Sequence, residues 1–125
     1  MNESIVVPDL ASEFYTDERC YITEMTNGPE DPELSIARVR VEPTVTTAWH
    51  RLKDTAERYV ILSGEGRMEV GDLPSQQVST GDVVLIPPNC PQRISNISAK
   101  DLLFLAICTP RFVNEAYEDL DEALD

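Results

Sequence analysis

The stretch WHRLKDTAERYVILSGEG, residues 49–66, contains the features that decide the fold. It holds the only histidine of the chain, His50, and a glutamate, Glu57, follows seven residues later. A run rich in β-branched and aromatic residues comes next, and two glycines end it. This pattern predicts a β-strand closed by a turn, with an imidazole and a carboxylate near its start as candidate site residues.

Short strands of the same kind are predicted on both sides of this stretch. Residues 34–41, LSIARVRV, alternate strictly between two faces, which is typical of a half-buried strand. Glycine, proline and asparagine separate the later strand candidates, which are residues 67–70, 76–79, 82–86, 92–95 and 101–109. Many short strands at regular spacing predict an all-β sandwich or closed barrel.

The C-terminal tail has a different periodicity. In residues 111–125, apolar side chains recur at helical spacing with acidic residues between them. The pattern predicts an amphipathic α-helix packed on the outside of the barrel. With 125 residues and no linker or repeat, the chain is expected to form one domain over residues 1–125.

Composition excludes several classes of partner. The chain has 23 acidic and 10 basic residues, a formal net charge of −13, and this charge repels nucleic acids and anionic membrane surfaces. Three scattered cysteines predict reduced thiols, and the first residues lack the pattern of a signal peptide, so we expect a cytoplasmic protein. The longest apolar run, residues 102–108, is too short to span a bilayer.

A second stretch, GDVVLIPPNCPQRISN, residues 81–96, completes a recognisable pair. Together the two stretches resemble the two motifs of the cupin superfamily, of the small single-domain, cupin 2 conserved-barrel type. The motif positions fall on His50, Leu52, Glu57, Gly64, Gly81, Pro87, Asn89, Gln92 and Asn96. The resemblance covers about residues 34–109. It implies an all-β cupin double-stranded β-helix, or jelly-roll barrel, to which the short C-terminal helix would be added.

The resemblance also implies a metal site that this chain has only in part. The ligand positions of metal-binding cupins fall here on His50, Leu52, Glu57 and Gln92, and Leu52 cannot ligate. The other three would hold zinc, nickel, iron or manganese, one substitution away from a site of two histidines and one carboxylate. Because residues 57 and 59 share a strand face, Tyr59 is expected to line the cavity beside Glu57.

Two main functions remain open at this point. In the first, the chain is a small-molecule-binding cupin and a metal-dependent enzyme of the dioxygenase, isomerase or lyase kind, with His50, Glu57 and Tyr59 as catalytic residues. In the second, it is a metal-free ligand-binding module, or a proton-transfer isomerase or epimerase that uses His50 and Glu57. A sensing or purely structural barrel is a third alternative. The sequence does not indicate which ligand is bound.

For three further residues the sequence allows both a binding role and a structural role. Arg38 and Arg40 share a strand face and could bind a phosphate if that face were inward, but an outward face that pairs with the acidic surface is favoured. Cys90 could add a thiolate ligand, or it could be a half-buried apolar residue. Residues 1–33 lack a core of their own, which predicts a homodimer.

Overall fold

A computed structural model describes residues 1–121 and shows two antiparallel β-sheets that share one apolar core. The strands are β1 Phe14–Tyr15, β2 Tyr21–Thr26, β3 Ser35–Val41, β4 His50–Leu52, β5 Ala56–Ser63, β6 Glu65–Val70, β7 Gln76–Ser79, β8 Val83–Ile86, β9 Gln92–Asn96, β10 Leu102–Thr109 and β11 Tyr117–Asp119. One sheet has the order β1-β2-β3-β10-β5-β8, and the other has the order β11-β4-β9-β6-β7. The predicted all-β barrel of two sheets is confirmed.

Strict alternation of side chains explains why these segments form strands around a core. In β10 every second residue is buried, and the strand lies between β3 and β5. Phe104, only 1% exposed, pairs in register with Val39 of β3 and Ile61 of β5. Ile94 of β9 is fully buried and belongs to the same cluster from the opposite sheet. Burying side chains of this size stabilises the fold by about 1.5–3 kcal/mol each.

The C-terminal segment does not form the predicted helix in the part that the structure describes. A 3-10 turn, Asn114–Ala116, is followed by β11, which pairs antiparallel with β4. The helical prediction for residues 111–121 is therefore wrong, and its last residues, 122–125, lie outside the described part. Tertiary structure overrides the helical periodicity here. Because β4 is short and pairs with β9 through a single residue pair, the backbone groups on its other edge need a partner, and β11 provides it.

The N-terminal segment extends the six-stranded sheet and leaves apolar side chains in solvent. β1 and β2 add to the edge of β3, whereas Ile5 and Val7 are 93% and 85% exposed. At the opposite edge of this sheet, Leu85 of β8 is 70% exposed. Within residues 1–121, no helix combines the length and apolar character needed to cross a membrane.

We expect the chain to be a homodimer that buries these exposed apolar residues. Light scattering at micromolar concentration should give about twice the chain mass of 14.0 kDa. Val7→Asp should shift the protein toward monomer, because it places a charge in an apolar contact. Leu73→Asp, at a turn residue that is 69% exposed, serves as the matched control and should not. A wild-type mass near 14.0 kDa would contradict the prediction.

Candidate functional site

The three residues predicted to form the site converge between the two sheets. His50 on β4 and Gln92 on β9 are cross-strand partners in one sheet, and Glu57 on β5 faces them from the other. All three are buried, with exposures of 2%, 1% and 7%. The alternation of their strands turns them inward, as the sequence predicts.

The Gln92 amide is the centre of the site. Its nitrogen, Nε2, donates to His50 Nε2 at 2.9 Å and to Glu57 Oε1 at 2.9 Å. Its oxygen, Oε1, accepts from the Tyr59 hydroxyl at 3.0 Å. With both hydrogens and the carbonyl oxygen used, the amide is satisfied without any further partner. Tyr59 therefore does lie beside Glu57 in the cavity wall, but its hydroxyl is engaged in holding Gln92.

The orientation of His50 follows from its other nitrogen. Nδ1 lies 2.7 Å from the carbonyl oxygen of Ala48, a contact that requires Nδ1 to carry a hydrogen and donate it. Nε2 then has a free lone pair, which accepts from Gln92. The ring also stacks against Tyr117 of β11, with 5.1 Å between ring centroids and 25° between planes. The strand that replaces the predicted helix thus forms one wall of the site.

Glu57 is a carboxyl group in an environment that opposes ionisation. Burial raises its pKa to about 8, and the nearby Glu18 carboxylate adds to this shift. Hydrogen bonds from Cys108 and Gln92 act in the opposite direction but are weaker influences. Glu57 therefore holds a proton at neutral pH. Burial likewise raises the pKa of Tyr59 well above its ordinary value, so its hydroxyl remains a donor.

Sequence reasoning missed Glu18. This residue lies in the loop between β1 and β2, and its Oε1 is 3.4 Å from His50 Nε2. The loop is tied to the site because the Ala48 amide donates to the Glu18 carbonyl oxygen at 3.2 Å. Burial raises the pKa of Glu18, and Asp119 also raises it, while His50 lowers it. No motif or periodicity in residues 1–33 distinguishes Glu18 from the other acids of the chain.

A cavity of about 70 Å³ adjoins these residues. His50, Glu57 and Glu18 line it together with apolar residues that include Leu52 and Phe104. The predicted apolar wall at Leu52 is confirmed. In size the cavity suits a few waters or a small ligand and lies well below the volume of a drug-sized pocket.

The remaining sequence candidates lie away from this cavity. Arg38 and Arg40 face outward and pair with Glu13, with Arg40 Nη2 only 2.7 Å from Glu13 Oε1. This confirms the favoured prediction that the two arginines face outward and pair with acidic surface residues. Cys90 is half-buried in the loop before β9 and is not among the residues that line the cavity, whereas Cys108 is. The apolar reading of Cys90 therefore agrees with its position.

The donor set does not fit a bound metal ion in this arrangement. The group that Gln92 turns toward His50 and Glu57 is its amide nitrogen, which has hydrogens and no lone pair to offer. Position 52 contributes only an apolar side chain. Among the residues that the structure describes, no three histidine, cysteine, aspartate or glutamate side chains are grouped as a metal site would require. The metal ligands inferred from the resemblance remain a prediction.

Comparison with known proteins places the chain in a family. The family model described as "Cupin domain" matches residues 37–108. An uncharacterized protein of Methanocaldococcus jannaschii is 33% identical over 87 residues, which are 70% of this chain and 69% of that protein.

Solved structures agree with the barrel. KdgF from Halomonas sp. aligns with a TM-score of 0.78 at 13% identity, over 91% of this chain and 99% of that one. Pac13 of Streptomyces, a nucleoside dehydratase, aligns with a TM-score of 0.76 at 14% identity, over 94% and 92% of the two chains. Oxalate decarboxylase of Bacillus subtilis aligns with a TM-score of 0.78 at 24% identity, over 92% of this chain but only 32% of that one. At these identities the likeness shows the fold alone.

Proposed function

The chain belongs to the cupin domain family, and we propose that it is a small-molecule-binding cupin whose site moves protons on its ligand without a metal ion. One observation carries the proposal. The Gln92 amide nitrogen donates to both His50 and Glu57, which completes the polar network with protein groups alone. In this network the Gln92 amide lies between Glu57, which can act as an acid, and His50, which can act as a base.

Glu57 supplies the acid. Because its pKa is raised to about 8, it holds a proton at neutral pH and can donate a hydrogen bond to the carbonyl oxygen of a ligand. That hydrogen bond acidifies the C–H bond beside the carbonyl. The Glu57 Oε2 atom is available for this contact, because its nearest hydrogen-bonding group is the Cys108 sulfur at 3.8 Å.

His50 supplies the base. Its Nδ1 is fixed as a donor to Ala48, so Nε2 is the nitrogen that can take a proton from the carbon. The ligand reaches this lone pair by displacing the Gln92 N–H that now occupies it. Electrons of the broken C–H bond move to the carbonyl oxygen, where the Glu57 proton stabilises the enolate. Tyr59 holds the amide oxygen and therefore acts as a positioning residue.

Proton exchange on small neutral carbonyl compounds tests this proposal. Hydroxyacetone, which suits a cavity of about 70 Å³, would be incubated with the protein in D2O and followed by NMR. We expect wild type to exchange the C–H hydrogens at least about tenfold faster than buffer, and Glu57→Gln or His50→Gln to remove most of this rate. Glu42→Gln, at an exposed position, is the matched control. Exchange no faster than in buffer would overturn the proton-transfer proposal.

A metal-dependent enzyme is the second candidate, and Glu18 is the observation that favours it. Glu18 Oε1 lies only 3.4 Å from His50 Nε2, so a carboxylate that the sequence does not indicate stands beside the imidazole, although no third such side chain is grouped with them among the described residues. Elemental analysis of protein purified without a histidine tag separates the candidates. Stoichiometric zinc, nickel, iron or manganese that is lost in His50→Ala would contradict the metal-free proposal.

A further inference from the structure

The inner cavity adjoins a wider vestibule at the protein surface. The vestibule has a volume of about 290 Å³, and five of its lining residues also line the inner cavity. We call these five residues the neck: Glu18, Ile22, Glu24, Phe112 and Tyr117. A ligand that enters the barrel from the vestibule must pass between them.

The neck combines carboxylates with aromatic rings and contains no basic side chain. Besides the protonated Glu57, the residues that line the vestibule and the inner cavity include three acids, Asp17, Glu18 and Glu24, and no lysine or arginine within the described part of the chain. Phe112 and Tyr117 line the neck together with Glu18 and Glu24. Carboxylates and ring faces both attract a cation, and they do so more strongly where water is excluded.

One buried polar atom of the neck lacks a hydrogen-bond partner among residues 1–121. The Tyr117 hydroxyl is shielded from solvent and makes no hydrogen bond. Such a group loses its hydration without compensation, and a bound N–H donor would restore it.

From this geometry we propose that the barrel binds a small organic cation, with an alkylammonium group held at the neck by Glu18, Glu24 and Tyr117. The inference rests on the proposed function only in that a small molecule enters the barrel. The ammonium donates hydrogen bonds to the carboxylates and to the Tyr117 oxygen. Its uncharged part extends into the inner cavity toward Leu52 and Phe104. Anions such as phosphate esters and dicarboxylates are disfavoured by the same acids.

Three probes with four carbons and different charges test the inference. Butylammonium chloride, butanol and potassium butyrate would each be titrated while amide shifts are followed by NMR. We expect butylammonium to bind at least about tenfold more tightly than butanol, since it adds ion pairing and ring contacts, and butyrate to cause no shift at the neck. Added salt should weaken the butylammonium response alone.

Variants of the neck make the result decisive. The single variant Glu24→Gln changes an exposed position, so it should fold normally and bind butylammonium more weakly than wild type. The double variant Glu18→Gln with Glu24→Gln should bind butylammonium no more tightly than it binds butanol. Glu42→Gln, outside the neck, should leave it unchanged. Equal binding of butanol and butylammonium, or binding that both variants leave intact, would overturn the inference while the proton-exchange test still stands. Shifts at the neck with zinc chloride but none with butylammonium would also overturn it, in favour of a metal ion.

Discussion

Replacing Glu57 by glutamine should stabilise the protein at pH 8 and change its stability little at pH 5. The Glu57 pKa is about 8 in the folded protein, against an ordinary value of 4.5. The unfolded chain therefore loses this proton at lower pH than the folded protein does. Between the two pKa values the unfolded state binds fewer protons, so the free energy of unfolding of wild type falls as pH rises.

The expected size of this effect is large for one side chain. A difference of one pH unit within this window changes the free energy of unfolding by about 1.4 kcal/mol, so wild type should lose about 3 kcal/mol relative to Glu57→Gln between pH 5.5 and 8. The contribution of the protonated carboxyl is complete below the ordinary pKa and is lost as pH rises through the folded pKa. Glutamine keeps a carbonyl oxygen for the Gln92 N–H but cannot ionise.

Urea unfolding at several pH values measures this directly. Glu42→Gln, which alters an exposed glutamate, is the control and should follow the pH dependence of wild type. Glu18→Gln should flatten the curve in part, because Glu18 is the second cause of the raised Glu57 pKa. If Glu57→Gln and wild type lost stability in parallel from pH 5.5 to 8, Glu57 would not be the buried acid on which the proposed chemistry depends.

The sequence predicts the strands because they depend on regular local patterns. Strand parity turns His50, Glu57 and Gln92 inward, and their convergence in one site is what the resemblance to the cupin motifs implies. Tyr59 follows from the same parity. Leu52 is correctly predicted as an apolar wall for the same reason.

Features that depend on tertiary placement could not be predicted in this way. Glu18 reaches the site from a loop, and long-range contacts of that loop, such as the hydrogen bond from the Ala48 amide to the Glu18 carbonyl oxygen, position it. The segment around Tyr117 has helical periodicity, but the open edge of β4 makes it a strand. The direction of the Gln92 amide depends on Tyr59 as well as on His50 and Glu57. That direction decides whether the site offers a metal a nitrogen with hydrogens or an oxygen with lone pairs.

A four-ligand metal site should appear when the two missing imidazoles are introduced. In Leu52→His with Gln92→His, both new side chains replace residues that are buried beside His50, with exposures of 5% and 1% in the wild type. The amide nitrogen that now separates His50 from Glu57 would be removed. We expect the double variant to bind zinc at least about a hundredfold more tightly than wild type, since four strong ligands replace a weak mixed set.

The same variant should be less stable than wild type without metal. Placing an imidazole where Leu52 is buried costs about 1–3 kcal/mol unless it finds a hydrogen-bond partner, and zinc should return this stability by binding only the folded state. Competition with a chelator gives the affinity, and melting temperatures with and without zinc give the stability.

The matched control moves the same two imidazoles by one residue along the same strands. Arg51→His with Arg93→His places them on the outer face, where the wild-type arginines pair with Glu118 and Glu69. This control should gain little zinc affinity, because outward side chains cannot join His50 and Glu57. Equal affinities in the two double variants would mean that the inner faces do not converge closely enough for a metal. His50 and Gln92 would then be buried polar residues whose main role is to satisfy one another inside the barrel.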